Sequence, residues 1–171
     1  MGAMKPSTPI IFTNPNQPDP VKNLKTIDAV DDARIRAISA VLNDFHDAAS
    51  KADENRYFNH FTPDAVFIGT DAKERWTYSQ FRAYAKPYFD AGKGWTYAST
   101  SRNIFLSPNA DVAWFDEMLE NTKYGICRGS GVLIKIDQIW RIAQYHLVIP
   151  VPNELVDDLM KLIADSKAEN K

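Results

Sequence analysis

The chain has 171 residues, of which 44% are hydrophobic and 25% are charged, and its formal net charge is −2 at pH 7. This length suits one domain with a substantial core. The nearly balanced charge argues against a protein that mainly binds nucleic acid or an anionic membrane, and no apolar run is long enough to span a bilayer. The single cysteine, Cys127, excludes an internal disulfide, and three scattered histidines lack metal-site spacing.

We therefore expect a single-domain protein without a metal or a cofactor. The first 25 residues lack an apolar stretch of the signal-peptide type. No export signal is expected, and a cytoplasmic location is favoured.

The first 20 residues contain five of the ten prolines. Such a density of prolines leaves too few backbone donors for a helix or a sheet. We predict an extended, proline-rich arm over residues 1–26, a domain over 27–151, and a C-terminal helix and tail over 152–171.

Helices dominate the first part of the predicted domain. Apolar residues recur every three or four positions in residues 28–52, which predicts an amphipathic helix. A second, short helix is predicted at about 53–61, a brief strand at 65–69 and a third helix at 79–91. Pro87 implies a kink or an early end of the third helix, and Gly92 and Gly94 follow its end.

Strand patterns follow from Trp95 onward. Four segments of strand type are separated by short turns, and a final helix opens at Pro152. This order predicts an α+β fold in which a curled antiparallel sheet wraps on three N-terminal helices, with an extra helix at the C-terminus. The inside of the curl is a natural pocket.

Alternation along the strands divides the sheet into two faces. We place one set of residues together on the first face: Trp114, Asp116, Met118, Cys127, Gly129, Gly131, Leu133, Ala143, Tyr145 and Leu147. The second face receives Phe115, Glu117, Leu119, Arg128, Ser130, Val132, Ile134, Trp140, Ile142, Gln144, His146 and Val148. Both faces are half apolar, and the helices cover only one of them. The other is expected to meet a second subunit and form a homodimer.

Several motifs carry a family resemblance: DAVFIG after a short helix, WFDE, RGSGVL and WRIAQYHL. In this order and spacing they resemble the SnoaL-like branch of the nuclear transport factor 2-like (ketosteroid isomerase-like) superfamily over about residues 30–150. The resemblance implies a cone-shaped fold with a hydrophobic pocket and dimerisation through the sheet.

The superfamily contains isomerases, cyclases and an assembly domain of a calmodulin-dependent kinase, so the fold alone does not decide the function. The positions that match the catalytic residues of the steroid isomerases hold Phe45, Gly69 and Gly131, and the lack of an ionisable side chain at all three argues against that chemistry here. The arginine positions of the kinase domain fall at Gly131 and Leu147. Both comparisons imply that Gly131 and Leu147 face the pocket.

This orientation places the first face inside the cone. Asp116 is then the one carboxylate in an apolar pocket, where desolvation raises the pKa of a carboxyl group toward the range useful for proton transfer. Tyr145 is a candidate oxyanion donor. The predicted catalytic residues are therefore Asp116 and Tyr145, and the predicted ligand-binding residues are Phe45, Tyr57, Trp76, Trp114, Met118, Gly129, Gly131 and Leu147.

Three alternatives stay open at this level. Gly129 and Gly131 either accommodate bulky neighbours such as Trp114 and Tyr145 or leave room for a ligand. Glu117, Arg128 and His146 are interpreted as an interface network, but they become the site if the two faces are exchanged. His46 follows Phe45 and is expected to face solvent or a partner.

Two function hypotheses follow. The first is a protein that binds a small, apolar molecule and acts as a cofactor-free acid–base isomerase, dehydratase or cyclase. The second is a ligand-binding or oligomeric assembly module without turnover.

Overall fold

A computed structural model of the chain describes residues 33–169. The predicted arm, the first residues of the helix predicted over 28–52 and the last two residues of the chain lie outside this range. The helices are α1 (Ala33–Ser50), α2 (Glu54–Asn59), α3 (Tyr78–Asp90), a short 3₁₀ turn (Asn153–Leu155) and α4 (Val156–Glu169). The strands are β1 (Phe61–Ile68), β2 (Arg75–Thr77), β3 (Ala98–Leu106), β4 (Val112–Asn121), β5 (Gly125–Ile136) and β6 (Ile139–Val148).

The first two helices form one packed unit. The apolar stripe of α1 is buried at Ile38, Leu42 and Phe45. The Asp53 side chain accepts a hydrogen bond from the Arg56 backbone N–H and so caps the start of α2. The guanidinium of Arg56 also forms an ion pair with Asp44 of α1.

The third helix begins at a capping box. The Thr77 hydroxyl accepts from the Gln80 backbone N–H, while the Gln80 side chain accepts from the Thr77 N–H. The helix continues past Pro87 to Asp90, and Gly92 follows its end with a φ of 65°. That conformation suits glycine, so the stop is encoded in the sequence.

The sheet has six strands in the order β2-β1-β6-β5-β4-β3. The strands β3 to β6 form the predicted antiparallel meander. The brief predicted strand at 65–69 is longer than expected, and it pairs parallel to β6 and antiparallel to the unpredicted β2. The sheet is therefore mixed. The predicted α+β class, a curled sheet wrapped on helices with an extra C-terminal helix, is confirmed.

The pairing register corrects part of the predicted face assignment. Phe115 lies opposite Gly131, and Glu117 lies opposite Gly129, so these residues share the inner, helix-covered face. The predicted inner set of β4 is therefore on the outer face, since a strand has a period of two. Leu119, Trp140 and Ile142, which were predicted on the other face, are also buried on the inner face.

An irregularity in β6 explains why Trp140 and Ile142 lie on the inner face. Val132 pairs with Gln144, but its neighbour Leu133 pairs with Ile142, so one extra residue, Ala143, interrupts the alternation. A β-bulge of this kind lets residues of opposite parity share a face. Trp140 and Ile142 therefore lie inside together with Tyr145 and Leu147.

Among the helices and strands that the structure describes, the last helix, α4, contacts only the 3₁₀ turn that precedes it. Its apolar residues are consequently exposed, for example Met160, Leu162 and Ile163. Within the described part of the chain, no helix combines the length and the apolar character that crossing a membrane requires.

Gly94 marks a close contact between the end of α1 and the chain that leads to β3. A Cβ atom at position 94 would clash with the backbone carbonyl oxygen of Ala49 and would lie 3.0 Å from the backbone nitrogen of Ala52. The obstacles are backbone atoms, which cannot move aside as a flexible side chain can. A glycine is required here for space.

We therefore expect Gly94→Ala to lower the free energy of unfolding by about 2 kcal/mol or more, as overpacking does. The matched control is Gly92→Ala, where nothing lies within 4 Å of the added methyl group; a non-glycine residue at its positive φ costs about 1–2 kcal/mol. Urea denaturation of both variants measures the difference. A smaller loss in Gly94→Ala than in the control would contradict this interpretation.

Candidate functional site

A cavity of about 330 Å³ opens at one end of the curled sheet. Aromatic rings supply most of its wall. The aromatic lining residues are Phe67, Trp76, Phe81, Tyr84, Tyr88, Trp95, Tyr97 and Tyr124. Leu147, Gly69 and Thr70 complete the apolar and small surface, and Glu74 and Lys123 contribute its charged groups.

The aromatic wall is built by short-range structure. Phe81, Tyr84 and Tyr88 line the cavity from α3, because residues three or four positions apart lie on the same side of a helix. The ring of Trp76, from β2, stacks on Tyr84 with centroids 4.8 Å apart and on Phe81 at 5.7 Å. Offset stacking of this kind fixes the orientation of the wall.

A cluster of polar side chains lies outside the cavity, between α1 and the sheet. The side chain of Glu117 is completely buried. Its Oε1 accepts from the Tyr145 hydroxyl at 3.0 Å and lies 2.7 Å from Nε2 of His46. Its Oε2 accepts from Nε of Arg102 at 2.8 Å. We call these four residues (His46, Arg102, Glu117 and Tyr145) the Glu117 network.

Electrostatics keep Glu117 ionised. Burial raises the pKa of its carboxyl group, but the hydrogen bond and charge of His46 and the charge of Arg102 outweigh burial and hold the pKa below its usual range. Burial, with the Glu117 charge as the next cause, raises the pKa of Tyr145 well above its ordinary value. The tyrosine therefore remains a protonated donor to the carboxylate.

Gly129 and Gly131 of β5 make room for neighbouring groups on β4 and β6. A Cβ at Gly129 would clash with the Tyr145 hydroxyl and approach Glu117, and a Cβ at Gly131 would clash with the backbone carbonyl oxygen of Gln144 and with the ring of Phe115. The space beside them is filled by Tyr145, Glu117 and Phe115, whereas Trp114 lies on the outer face.

One aromatic ring connects the cavity with the Glu117 network. Phe67 lines the cavity, and its ring stacks on Tyr145 with centroids 5.7 Å apart and an interplanar angle of 12°. Glu117 and Tyr145 are not among the residues that line the cavity. The carboxylate is therefore screened from a molecule in the cavity.

A sequence profile of the SnoaL-like domain matches residues 38–152 of the chain. The chain belongs to the SnoaL-like domain family. A search of curated protein sequences found no significant match.

Solved structures show the same fold. The SnoaL-like chain is similar to a protein of unknown function from Pectobacterium atrosepticum (TM-score 0.59, 19% identity, covering 69% of this chain and 91% of that one). It is also similar to a nuclear transport factor 2-like protein of unknown function from Pseudomonas putida (TM-score 0.57, 11% identity, 68% and 87%). A third similar structure, from Streptomyces avermitilis, is provisionally named a dehydratase of the same superfamily (TM-score 0.58, 8% identity, 68% and 96%).

The predicted location of Asp116 is wrong. In the SnoaL-like domain it lies on the outer face, where its Oδ1 accepts from the Asn103 side chain at 3.0 Å. Trp114 and Met118 share that face, so all three lie outside the cone. Both parities of β4 carry large apolar residues, which is why alternation alone did not decide between them.

The other predicted residues fall into two groups. Trp76 and Leu147 line the cavity. Phe45 and Tyr57 are buried and stack on each other at 4.6 Å, within the aromatic core. Gly129 and Gly131 lie on the inner face, as described above. Tyr145 is buried in the Glu117 network, behind Phe67.

The alternative trio is separated by the sheet. Glu117 points inward, while Arg128 and His146 lie on the outer face opposite it. The partners of Glu117 are instead His46 and Arg102, which the sequence analysis did not assign to the site. His46 is not turned to solvent: only 10% of its side chain is exposed. Alternation within RNIFL, which puts Arg102 with Ile104 and Leu106, was the available signal for Arg102.

The side chains described for residues 33–166 include no group of three or more His, Cys, Asp or Glu that could hold a metal ion.

The Glu117 network makes the stability of the domain depend on pH. The pKa of Glu117 is below its usual value of 4.5 in the folded protein. The stabilisation that the ionised Glu117 carboxylate provides is therefore complete above the pKa of Glu117 in the unfolded state. It is lost as the pH falls through the pKa of Glu117 in the folded state. Glu117→Gln leaves Arg102 without its counter-charge, so we expect a loss of about 3 kcal/mol or more at pH 7.

This difference between the wild-type protein and Glu117→Gln should shrink as the pH is lowered from 7 to about 3, because protonated glutamate resembles glutamine. Urea denaturation across that range measures it. Asp116→Asn is the matched control, since it changes the neighbouring carboxylate on the outer face, and it should alter stability by less than about 0.5 kcal/mol. A constant difference at all pH values would refute the role of the Glu117 charge.

Proposed function

We propose that this SnoaL-like domain binds a small, mostly apolar molecule in the aromatic cavity. The observation that carries the proposal is the cavity itself: about 330 Å³, lined by eight aromatic residues together with Leu147 and two charged side chains. Apolar concave sites with a few polar groups are typical of ligand pockets, and 330 Å³ lies within their usual range of roughly 300–1,000 Å³. The SnoaL-like fold supports a domain of the ligand-binding or the isomerase and dehydratase type.

The position of the Glu117 network favours ligand binding over catalysis by that network. Its carboxylate is engaged by three side chains and completely buried. It ties α1, β3 and β6 to β4, which is a structural role.

A neutral apolar probe tests the proposal. We expect N-phenyl-1-naphthylamine to bind and gain fluorescence, and Thr70→Trp, which places a large side chain at the cavity wall, to weaken binding at least about fivefold. Thr100→Trp is the control, because Thr100 is exposed on the edge strand β3 and is not among the residues that line the cavity. Equal binding by both variants would place the probe elsewhere and contradict the proposal.

A second candidate function, cofactor-free acid–base catalysis, is favoured by one specific observation. The Glu74 carboxylate lies at the cavity wall, and its charge is one of the smaller causes, after burial and Tyr88, that raise the pKa of Tyr84. A carboxylate beside an apolar cavity can act as a general base. Glu74 takes the place that the sequence analysis gave to Asp116.

Catalysis of this kind should exchange the α-protons of a bound aryl ketone with solvent. We expect the protein to accelerate deuterium incorporation into acetophenone, and Glu74→Gln to remove the acceleration, because an amide cannot accept the proton. Proton NMR in D₂O measures the rate. Asp137→Asn changes an exposed carboxylate in the turn between β5 and β6 and should leave the rate unchanged. If acetophenone binds without accelerated exchange, the domain acts on it as a binding module only.

We also propose a homodimer formed through the outer face of the sheet. Phe105 and Trp114 stack there at 5.8 Å and remain 45% and 42% exposed. Val132 and Ile134 lie on the same face, and α4 does not cover it. The predicted interface is corrected accordingly: Val132, Ile134 and Val148 stay in it, whereas Phe115, Leu119 and Ile142 belong to the core.

Such an interface is expected to bury about 800 Å² per partner. Trp114→Glu should convert the dimer into a monomer, because it puts a charge at the centre of the apolar contact. Lys93→Glu adds the same side chain at an exposed turn and should leave the dimer intact. Light scattering at micromolar concentration measures both, and a monomeric wild-type protein would refute the dimer.

A further inference from the structure

The charge distribution of the cavity wall carries a further inference about the ligand. Glu74 is half-buried in the turn between β1 and β2, and its position is fixed by two contacts. Its Oε2 accepts from the Asp71 backbone N–H at 3.1 Å, and its backbone carbonyl accepts from the Gly69 N–H at 2.7 Å. The carboxylate also lies against Gly69, where a Cβ would clash with it. The negative charge is therefore held at the wall.

This charge has no counter-ion in the described part of the chain. No lysine, arginine or histidine nitrogen among the side chains described for residues 33–166 forms an ion pair with Glu74, in contrast to the paired carboxylates of Asp44, Glu54 and Glu117. A half-buried carboxylate without a cation beside it attracts one from solution, since part of its hydration has been removed.

The aromatic faces around Glu74 favour the same kind of ligand. Trp76, Tyr84 and Tyr88 line the cavity on the side of α3. The faces of such rings carry negative partial charge and attract cations, most strongly where water is excluded. The cavity mouth contains one such cation–π contact, because the Lys123 ammonium lies 4.8 Å from the centroid of the Tyr124 ring.

We infer that the molecule bound in the cavity is an organic cation, such as a substituted ammonium with an apolar body; this inference rests on the proposed function. The cationic group lies between the Glu74 carboxylate and the rings of Trp76, Tyr84 and Tyr88. The apolar body extends toward Phe67 and Leu147.

An anionic ligand is the competing case, with Lys123 as its partner. Lys123 is exposed on the turn between β4 and β5, and its ammonium already contacts an aromatic ring. An anion that reached Lys123 in this cavity would also approach the fixed Glu74 charge. The observations therefore favour the cation.

Three probes of similar size but different charge test the inference: benzyltrimethylammonium, its neutral isostere neopentylbenzene, and phenylacetate. Tryptophan fluorescence gives the affinities, and amide NMR shifts at cavity residues give the site. We expect benzyltrimethylammonium to bind at least about tenfold more tightly than neopentylbenzene, a ratio that corresponds to about 1.4 kcal/mol.

Two variants assign this preference to the wall. Glu74→Gln should reduce the ratio at least about threefold while leaving neopentylbenzene binding unchanged, because only the charge is lost. Lys123→Gln should strengthen cation binding, since it removes a like charge and frees the Tyr124 ring. Asp137→Asn, a distant carboxylate, should change neither affinity.

The remaining outcomes separate the two proposals. If neopentylbenzene shifts the cavity residues and binds as tightly as the cation, the inference is overturned and the proposed function stands. If phenylacetate binds most tightly and loses affinity in Lys123→Gln, the ligand is an anion and the inference is overturned. If no probe shifts the cavity residues, both the inference and the proposed function are overturned.

Discussion

A buried carboxylate organises this SnoaL-like domain. A charge in the interior is strongly destabilising unless it is paired and hydrogen-bonded, and Glu117 satisfies that requirement with His46, Arg102 and Tyr145. Each partner comes from a different element: α1, β3 and β6. The curl of the sheet must bring all of them within hydrogen-bond distance of one side chain. The Glu117 network therefore fixes how α1 sits across the sheet more specifically than apolar packing alone does.

The network also imposes requirements on its neighbours. Gly129 faces Glu117 across the β4–β5 pair, and its missing side chain provides the space for the Tyr145 hydroxyl. The ring of Tyr145 in turn stacks on Phe67. The ring of Phe67 also stacks on Phe81, with ring centroids 3.8 Å apart. A polar constraint at α1 is thus transmitted through stacked rings to the wall of the cavity.

The sequence supported the fold class because the helices and the meander depend on local patterns. The stripe of α1, the stop at Gly92 and the four long strands were all visible in the spacing of apolar residues and turns. Non-local features were not: the parallel pairing of β1 with β6 and the addition of β2 bring together segments far apart in the chain. The bulge at Ala143 was also invisible, although Trp140, Ile142, Tyr145 and Leu147 can share a face only if one residue interrupts the alternation.

The error over Asp116 has a simple physical origin. Trp114 and Met118 on one parity of β4 are as large and apolar as Phe115 and Leu119 on the other, so hydrophobicity does not choose the inner face. The choice is made by the partners of the carboxylates. Glu117 finds a histidine, an arginine and a tyrosine on the inside, whereas the Asp116 side chain has Asn103 on the outer face. A sequence shows which residues carry charge, but the cross-strand pairing decides which charge has partners when buried.

The cavity and the Glu117 network make different demands on the sequence, which has a consequence for how function can vary in this fold. The network joins core elements, and the loss of one partner leaves a buried charge without its counter-charge, which strongly lowers the free energy of unfolding. The cavity mouth is formed by the β1–β2 turn, one side of α3 and the β4–β5 turn, where Tyr84, Tyr88 and Tyr124 remain about half exposed. Substitutions there remove little buried area and so cost little stability. Phe67 belongs to both regions, because it lines the cavity and packs on Tyr145. Substitutions at the cavity mouth can therefore change the ligand preference without disturbing the fold. This freedom ends at Phe67, which packs on the Glu117 network.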